Sequence, residues 1–484
     1  MKSYKTALFV LCVLAGLAGI ALVYPQEGIQ IGSFLAEFPS LQKVIEGESE
    51  TEEEEIVEEE VVEEEPEPEL SPEELVAQRL EELKMERDSE FLVFCQKSPT
   101  RLYLPNDDIT FLDPVFDALQ QARNKAVRIM HYGDSQLEGD RITGVLREHF
   151  QETFGGYGPG MLPAVQTIGS AAGRISVTPE LNHYMYFGSS EFFADHKRYG
   201  PLAQMAVVDT VATFQLQAMG QPHSASFRKV SVALSGDAEC TLSTNDTEME
   251  MTCSQDASFP GLRFFSALLP HNYNKATVRV EGSAEVYGIL MDGMGGVSMD
   301  NIAMRGASGT IFSSIDRNTM APFFRAQNVR LILLQFGGNS VPYLKGKENI
   351  SSYKKQLQHQ IAYFQKLAPE ARIIFIGPAD MATNEEGEMK TYPQLPLVVD
   401  SLRQGALESG AAFWDMYKAM GGRGSMAKWV EADPPLAGED YIHFTPLGAK
   451  HISKILYETI DLYYRYYRFR TGLDEVELPD STAL

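Results

Sequence analysis

Ser135 lies in the triplet Gly133-Asp134-Ser135, after the β-prone run Val127, Ile129, Met130 and before a helix-compatible segment over 137–150. A serine hydroxyl attacks well only when a neighbouring base takes its proton, and that base needs an acceptor on its other nitrogen. A serine on a strand-to-helix turn also sits where the first helical N–H groups point outward and can stabilise an anion. The same triplet fits a plain turn with Asp134 or Ser135 as the helix cap. The partners must therefore come from elsewhere. Asp440 and His443 are three apart in D-Y-I-H-F-T-P-L-G (440–448), so both can approach a serine from one loop. Asn339, in Phe336-Gly337-Gly338-Asn339, offers an amide donor that strengthens as charge forms on an oxygen. Gly306, in M-R-G-A-S-G (304–309), lets the backbone approach that same oxygen. Singly, His443 reads as a packed loop histidine, Asn339 as a turn residue and Gly306 as ordinary loop. Jointly the four segments fit acyl transfer through a serine.

The elements that must position these groups alternate between strand and helix. A helix is expected over 116–124, then the strand leading to Ser135. From 286 onward come a strand (286–291), a helix (313–325), a buried strand (329–335), an amphipathic helix (352–367), strands at 372–376 and 412–414 around a helix (397–409), and a closing helix (446–464). This pattern implies an α/β fold, a parallel sheet with helices on both faces, with its site beyond the C-terminal strand ends. Residues 166–290 read differently. Short period-2 runs between Gly, Pro, Asn and Asp clusters imply an inserted β-sandwich. The loop F-G-G-Y-G-P-G-M-L-P (154–163) lacks the G-x-x-x-x-G-K-[ST] pattern and is expected to form one wall of the cleft.

In order and residue type the four segments resemble the four blocks of the SGNH (GDSL-type) hydrolases, over roughly 125–165 and 290–465. The resemblance implies a flavodoxin-like three-layer α/β/α sheet. It implies Ser135 as nucleophile, His443 as base and Asp440 as its orienting group. The oxyanion hole would be the backbone N–H groups of Ser135 and Gly306 with the Asn339 side chain. Two positions depart from the family: Ser340 follows Asn339 where G-x-N-D is common, and Gln136 stands where many lipase-like members have Leu. The β-rich insert and the loop at 154–163 resemble the peptidoglycan O-acetylesterases. The implied activity is removal of O-acetyl groups from an envelope glycan, foremost peptidoglycan, with no cofactor. O-acetyl transfer through the same acyl-serine, beside a membrane-bound acyltransferase partner, and non-catalytic glycan binding are the alternatives. Tyr184, Tyr186 and Phe187 are aromatic enough for a sugar, with core packing the default.

The net charge of −26 is concentrated, since residues 46–69 hold fifteen acidic and no basic side chains, leaving −11 for the other 460. With no basic stripe, nucleic acid is excluded as a partner. Lys2 and Lys5 precede about twenty apolar residues that are long enough to span a bilayer. The positive-inside rule then places the remainder outside the cytoplasm, anchored in the inner membrane by one pass, with the catalytic part periplasmic or otherwise extracytoplasmic. An uncleaved anchor is preferred over a signal peptide because Ala21-Leu22-Val23-Tyr24-Pro25 is a poor cleavage site. The expected organisation is an anchor (1–25), an acidic disordered linker (26–70), a helical lead-in (71–107) opening on Ser71-Pro72-Glu73-Glu74, hydrolase segments (108–165 and 291–470) around the insert, and a tail (471–484). Cys240 and Cys253 flank an expected hairpin, either bridged or reduced. Neither C-x-x-C nor H-E-x-x-H spacing occurs, so no metal site is read. His131 is expected to pack at its strand end, and Tyr463–Arg470 to cover the fold.

Overall fold

The computed structural model describes residues 29–31, 34–36, 72–258 and 261–474. The expected anchor, the acidic run over 46–69, the cap at Ser71 and the end of the tail lie outside these. Within the expected linker, Ile29–Ile31 and Phe34–Ala36 pair antiparallel. Among the described residues no helix is long and apolar enough to cross a membrane. The unit that carries the four blocks begins at Glu73.

Its central sheet has six strands: β1 (Leu102–Tyr103), β2 (Val127–Gly133), β3 (Val297–Ala303), β4 (Val329–Gln335), β5 (Arg372–Ile376) and β6 (Ala412–Trp414), ordered β3-β2-β4-β5-β6-β1. β2 to β6 run parallel, in the flavodoxin-like arrangement, and β1 closes the edge antiparallel to β6. Side chains alternate across it. Val127, Ile129, Leu331, Leu333, Ile374 and Ile376 pack with α1 (Pro72–Lys97), α2 (Asp113–Gln120), α3 (Thr143–Phe154) and α7 (Pro446–Arg470). Met130, Tyr132, Ile332, Leu334, Ile373 and Phe375 face α4 (Arg317–Ala326), α5 (Lys347–Leu367) and α6 (Leu395–Glu408). That period of two makes a three-layer sandwich of a sheet between helices.

Several boundaries differ from the expected ones. The lead-in contributes to the fold itself, since β1 is a sheet strand and buried Phe91 of α1 stacks on Tyr466 of α7 with centroids 3.7 Å apart. The run 286–291 is not a strand of the central sheet. It ends an 18-residue strand, Lys275–Asp292, of the inserted β-domain, and Val297–Ala303 takes the place expected for it. The inserted domain reaches back to Gly160–Leu162, which pairs with that long strand. Its ten strands form one hydrogen-bonded antiparallel network in place of separate short-stranded sheets. Phe227–Ser243 and Lys275–Asp292 pair along most of their length, with a bulge after Ala233 that shifts the register. Tyr184, Tyr186 and Phe187 are partly buried against a core shared by the insert and the central sheet, with Tyr186 stacked on Tyr199 of the insert. The aromatic run in α7 is also largely buried.

The glycine-rich loop lies at the N-terminal edge of the central sheet, far from the C-terminal edge where the four blocks meet. It serves close backbone packing there: a Cβ on Gly156 would sit 2.4 Å from the carbonyl oxygen of Val297, the first residue of β3. Beside it, Arg128 of β2 is buried between Asp300 of β3, at 2.6 Å, and Asp292 at the end of the long insert strand. Removing one partner of a buried ion cluster strands the others. Arg128→Met should therefore lower stability by about 3–5 kcal/mol in urea unfolding. Adding Asp292→Asn and Asp300→Asn should recover much of the loss.

Candidate active site

β2 ends at Gly133, and Asp134 caps the turn that follows, its carboxylate accepting the N–H of Gln136 at 3.0 Å. That turn is a single 3-10 turn, Ser135–Leu137, and the regular helix begins at Thr143, six residues later than expected. Gly139 and Asp140 both adopt positive φ, which breaks the helix. The Asp140 carboxylate then takes a two-pronged hydrogen bond from buried Arg147, at 2.6 and 2.9 Å, and fixes the break. Ser135 thus stands on a tight turn and not at the end of a helix dipole.

The structure brings Ser135, His443 and Asp440 together. Ser135 Oγ and His443 Nε2 are 2.8 Å apart, and His443 Nδ1 and Asp440 Oδ2 are 2.6 Å apart. Tyr441 takes positive φ, and Asp440 Oδ1 accepts the N–H groups of Ile442 and His443, each at 3.0 Å. The carboxylate is thereby locked at right reach for the ring. Burial would raise the Asp440 pKa, but those N–H groups and the His443 ring outweigh it and hold the carboxyl below its usual range.

Two residues that the sequence reading gave no positioning role hold this loop on the serine turn. Gln136 donates its amide to the Ile442 carbonyl at 2.6 Å and accepts the Phe444 N–H at 3.3 Å. Arg141 donates to the carbonyls of Phe444 at 3.0 Å and Ser135 at 2.7 Å. The only sequence signal is Gln136 standing where many lipase-like members of the resembled family have Leu. Nothing marked Arg141.

Gly306 and Asn339 reach the same place from β3 and β4. The N–H groups of Ser135 and Gly306 have no acceptor among the described residues. Gly306 has φ 75°, with open space where a Cβ would stand. Its loop is tied to the serine turn by Arg305, whose guanidinium donates twice to Glu138 at 2.5 and 2.6 Å. Asn339 sits in the 3-10 turn Gly338–Tyr343 and donates its amide to Asp134 Oδ2 at 3.1 Å and to the Ala307 carbonyl at 3.2 Å. Both amide hydrogens are engaged, so an oxyanion would have to draw one of them away. These groups line a cavity of about 350 Å³ whose other wall is apolar, with Pro378, Met381, Met416 and Ile442. Among the described residues no group of three or more His, Cys, Asp or Glu is placed to hold a metal ion. Cys240 and Cys253 are both free thiols.

No protein-family model matches the sequence, and no curated protein matches it. Solved structures do. A peptidoglycan O-acetylesterase superposes with a TM-score of 0.61 at 20% identity, covering 76% of this chain and 100% of that one. An acetyl xylan esterase gives 0.26 at 13%, covering 34% and 81%. A carbohydrate esterase family 2 enzyme with a carbohydrate binding domain, from Corynascus thermopiles, gives 0.26 at 12%, covering 60% and 99%. The two segments that build the central sheet and its helices are about half of the chain, so the first match extends into the inserted β-domain. At 20% identity, the superposition on the first of these establishes a shared fold.

Two buried titratable groups lie under the site with opposite shifts. Burial raises the Asp134 carboxyl to about 6, although it accepts the Gln136 N–H. Burial lowers His131 to about 3, with its ring between Gln335 and Thr143. The fold therefore holds more protons than the unfolded chain at Asp134, and fewer at His131. As pH rises from about 4 to about 6, Asp134 subtracts stability and His131 adds it. His131→Asn and Asp134→Asn should tilt the urea-midpoint-versus-pH curve in this window in opposite directions, downward and upward with pH respectively.

Proposed function

We propose that this protein is an SGNH-type serine esterase that removes O-acetyl groups from a cell-envelope glycan, with peptidoglycan foremost. The observation that carries the reading is the hydrogen-bonded series Ser135, His443, Asp440 opening on one cavity. The fold shared with a peptidoglycan O-acetylesterase, the β-domain included, supports the choice of glycan.

In this mechanism Ser135 Oγ attacks the acetyl carbonyl while His443 Nε2 takes its proton. The tetrahedral oxyanion is met by the N–H groups of Ser135 and Gly306, and by the Asn339 amide once one of its present bonds is exchanged. His443 returns the proton to the departing sugar hydroxyl, which leaves acetyl-Ser135. Water then attacks the acyl carbon, gives its proton to His443 and releases acetate as the serine is restored. Asp440 keeps the imidazole in the tautomer whose Nε2 is free to accept. With residues 1–25 read as a membrane anchor, the esterase would act outside the cytoplasm on glycan near its membrane.

The test is acetate release by the purified full chain from O-acetylated peptidoglycan, with acetylated xylan as the comparison. Ser135→Ala should lower turnover by at least about 10³-fold. Asn339→Ala should lower it by about 10²–10³-fold. Gln136→Leu should reduce kcat by about 10-fold or more, because the histidine loop loses its bracket. Unaltered acetate release by Ser135→Ala would refute the mechanism.

A further inference from the structure

Tyr343 is the most exposed large hydrophobic side chain among the described residues, at 79%. It stands on the wall of the Ser135 cavity, four residues beyond Asn339. The ring has no hydrogen-bond or ring partner among the described residues. Its backbone, by contrast, is anchored. Val341 and Leu344 on either side are buried, and Pro342 lies within the turn. Gln394 donates to the Val341 carbonyl at 2.6 Å, and the Leu344 N–H donates to Ser340 at 3.2 Å. A fixed turn thus presents a bare aromatic face, with little ordering left to do when something covers it.

The cavity itself, at about 350 Å³, lies near the lower bound for small-ligand pockets, about 300–1,000 Å³. It has room for one acylated sugar residue. The next residue of a polymer must leave over the rim. A pyranose has an apolar C–H face and polar edges, which suits a tyrosine ring whose hydroxyl remains wet.

We propose that Tyr343 is a stacking platform for the pyranose that adjoins the acetylated residue, forming a second subsite that makes the site prefer polymeric glycan over small esters. This rests on the esterase reading above. The experiment compares Tyr343→Ala, Tyr343→Phe and the unaltered full chain on O-acetylated peptidoglycan and on p-nitrophenyl acetate. In Tyr343→Ala the ratio of kcat/KM on the polymer to kcat/KM on the small ester should fall about 10-fold, through KM, as expected for loss of one aromatic contact. Tyr343→Phe should retain the ratio. A second measurement needs no turnover: in a Ser135→Ala background, Tyr343→Ala should reduce the fraction co-sedimenting with insoluble O-acetylated peptidoglycan. An unchanged ratio together with unchanged co-sedimentation overturns the subsite. Failure of the esterase reading shows separately, as acetate release indifferent to Ser135→Ala, and the co-sedimentation arm still decides on Tyr343.

Discussion

The 2.8 Å contact between Ser135 and His443 joins residues 308 positions apart, and nothing local holds it. The serine turn follows β2 and the histidine loop precedes α7. Each is an irregular segment that could drift by an ångström without breaking secondary structure. Gln136 and Arg141 prevent this by bonding the loop's own backbone, through the carbonyls of Ile442 and Phe444 and the N–H of Phe444. Backbone groups are unavoidable donors and acceptors, so a side chain that satisfies two of them fixes a loop more firmly than one apolar contact could. The proposed acyl chemistry would tolerate little misplacement, and the bracket sits next to the serine itself.

Along the sheet that carries the turn, buried polar groups stand in for the packing that a purely apolar core would supply. His131 bridges Gln335 and Thr143, and Arg147 binds Asp140 and the Met299 carbonyl. Arg128 joins Asp292 and Asp300, yet Asp292 Oδ1, Asp300 Oδ2 and Arg128 Nε have no partner among the described residues. A cluster satisfied only in part adds little net stability compared with hydrophobic residues of the same volume. What it does fix is register: Arg128 on β2 can meet both carboxylates only when β3 and the long insert strand are correctly placed.

The β-domain is therefore fastened to the sheet that carries the site. The Met161 N–H donates to Asp300, the Asp316 N–H to the Lys197 carbonyl, and Gly139 bridges to Ser170 next to the serine turn. Its ten strands enclose a core of their own while sharing apolar contacts with the central-sheet layers through Met161, Met205, Tyr287 and Leu290. Among the described residues, none of this domain lines the Ser135 cavity.

The sequence by itself determined the chemical groups and the alternation. Ser135, Asp440, His443, Gly306 and Asn339 could be singled out as candidates from residue type and spacing, and β4 and β5 were legible because a parallel strand buried on both faces is largely apolar. Tertiary structure decided the rest. The run 286–291 looks like any buried strand, and only pairing assigns it to the insert. The helix expected at 137 was displaced by the Asp140–Arg147 pair, which composition does not reveal. Asn339 was readable as a donor, but its engagement by Asp134 and Ala307 depends on three loops converging. Gln136 and Arg141 acquire their part only from what lies opposite them, 306 and 303 positions on in the chain, and residue type alone does not encode an opposite partner.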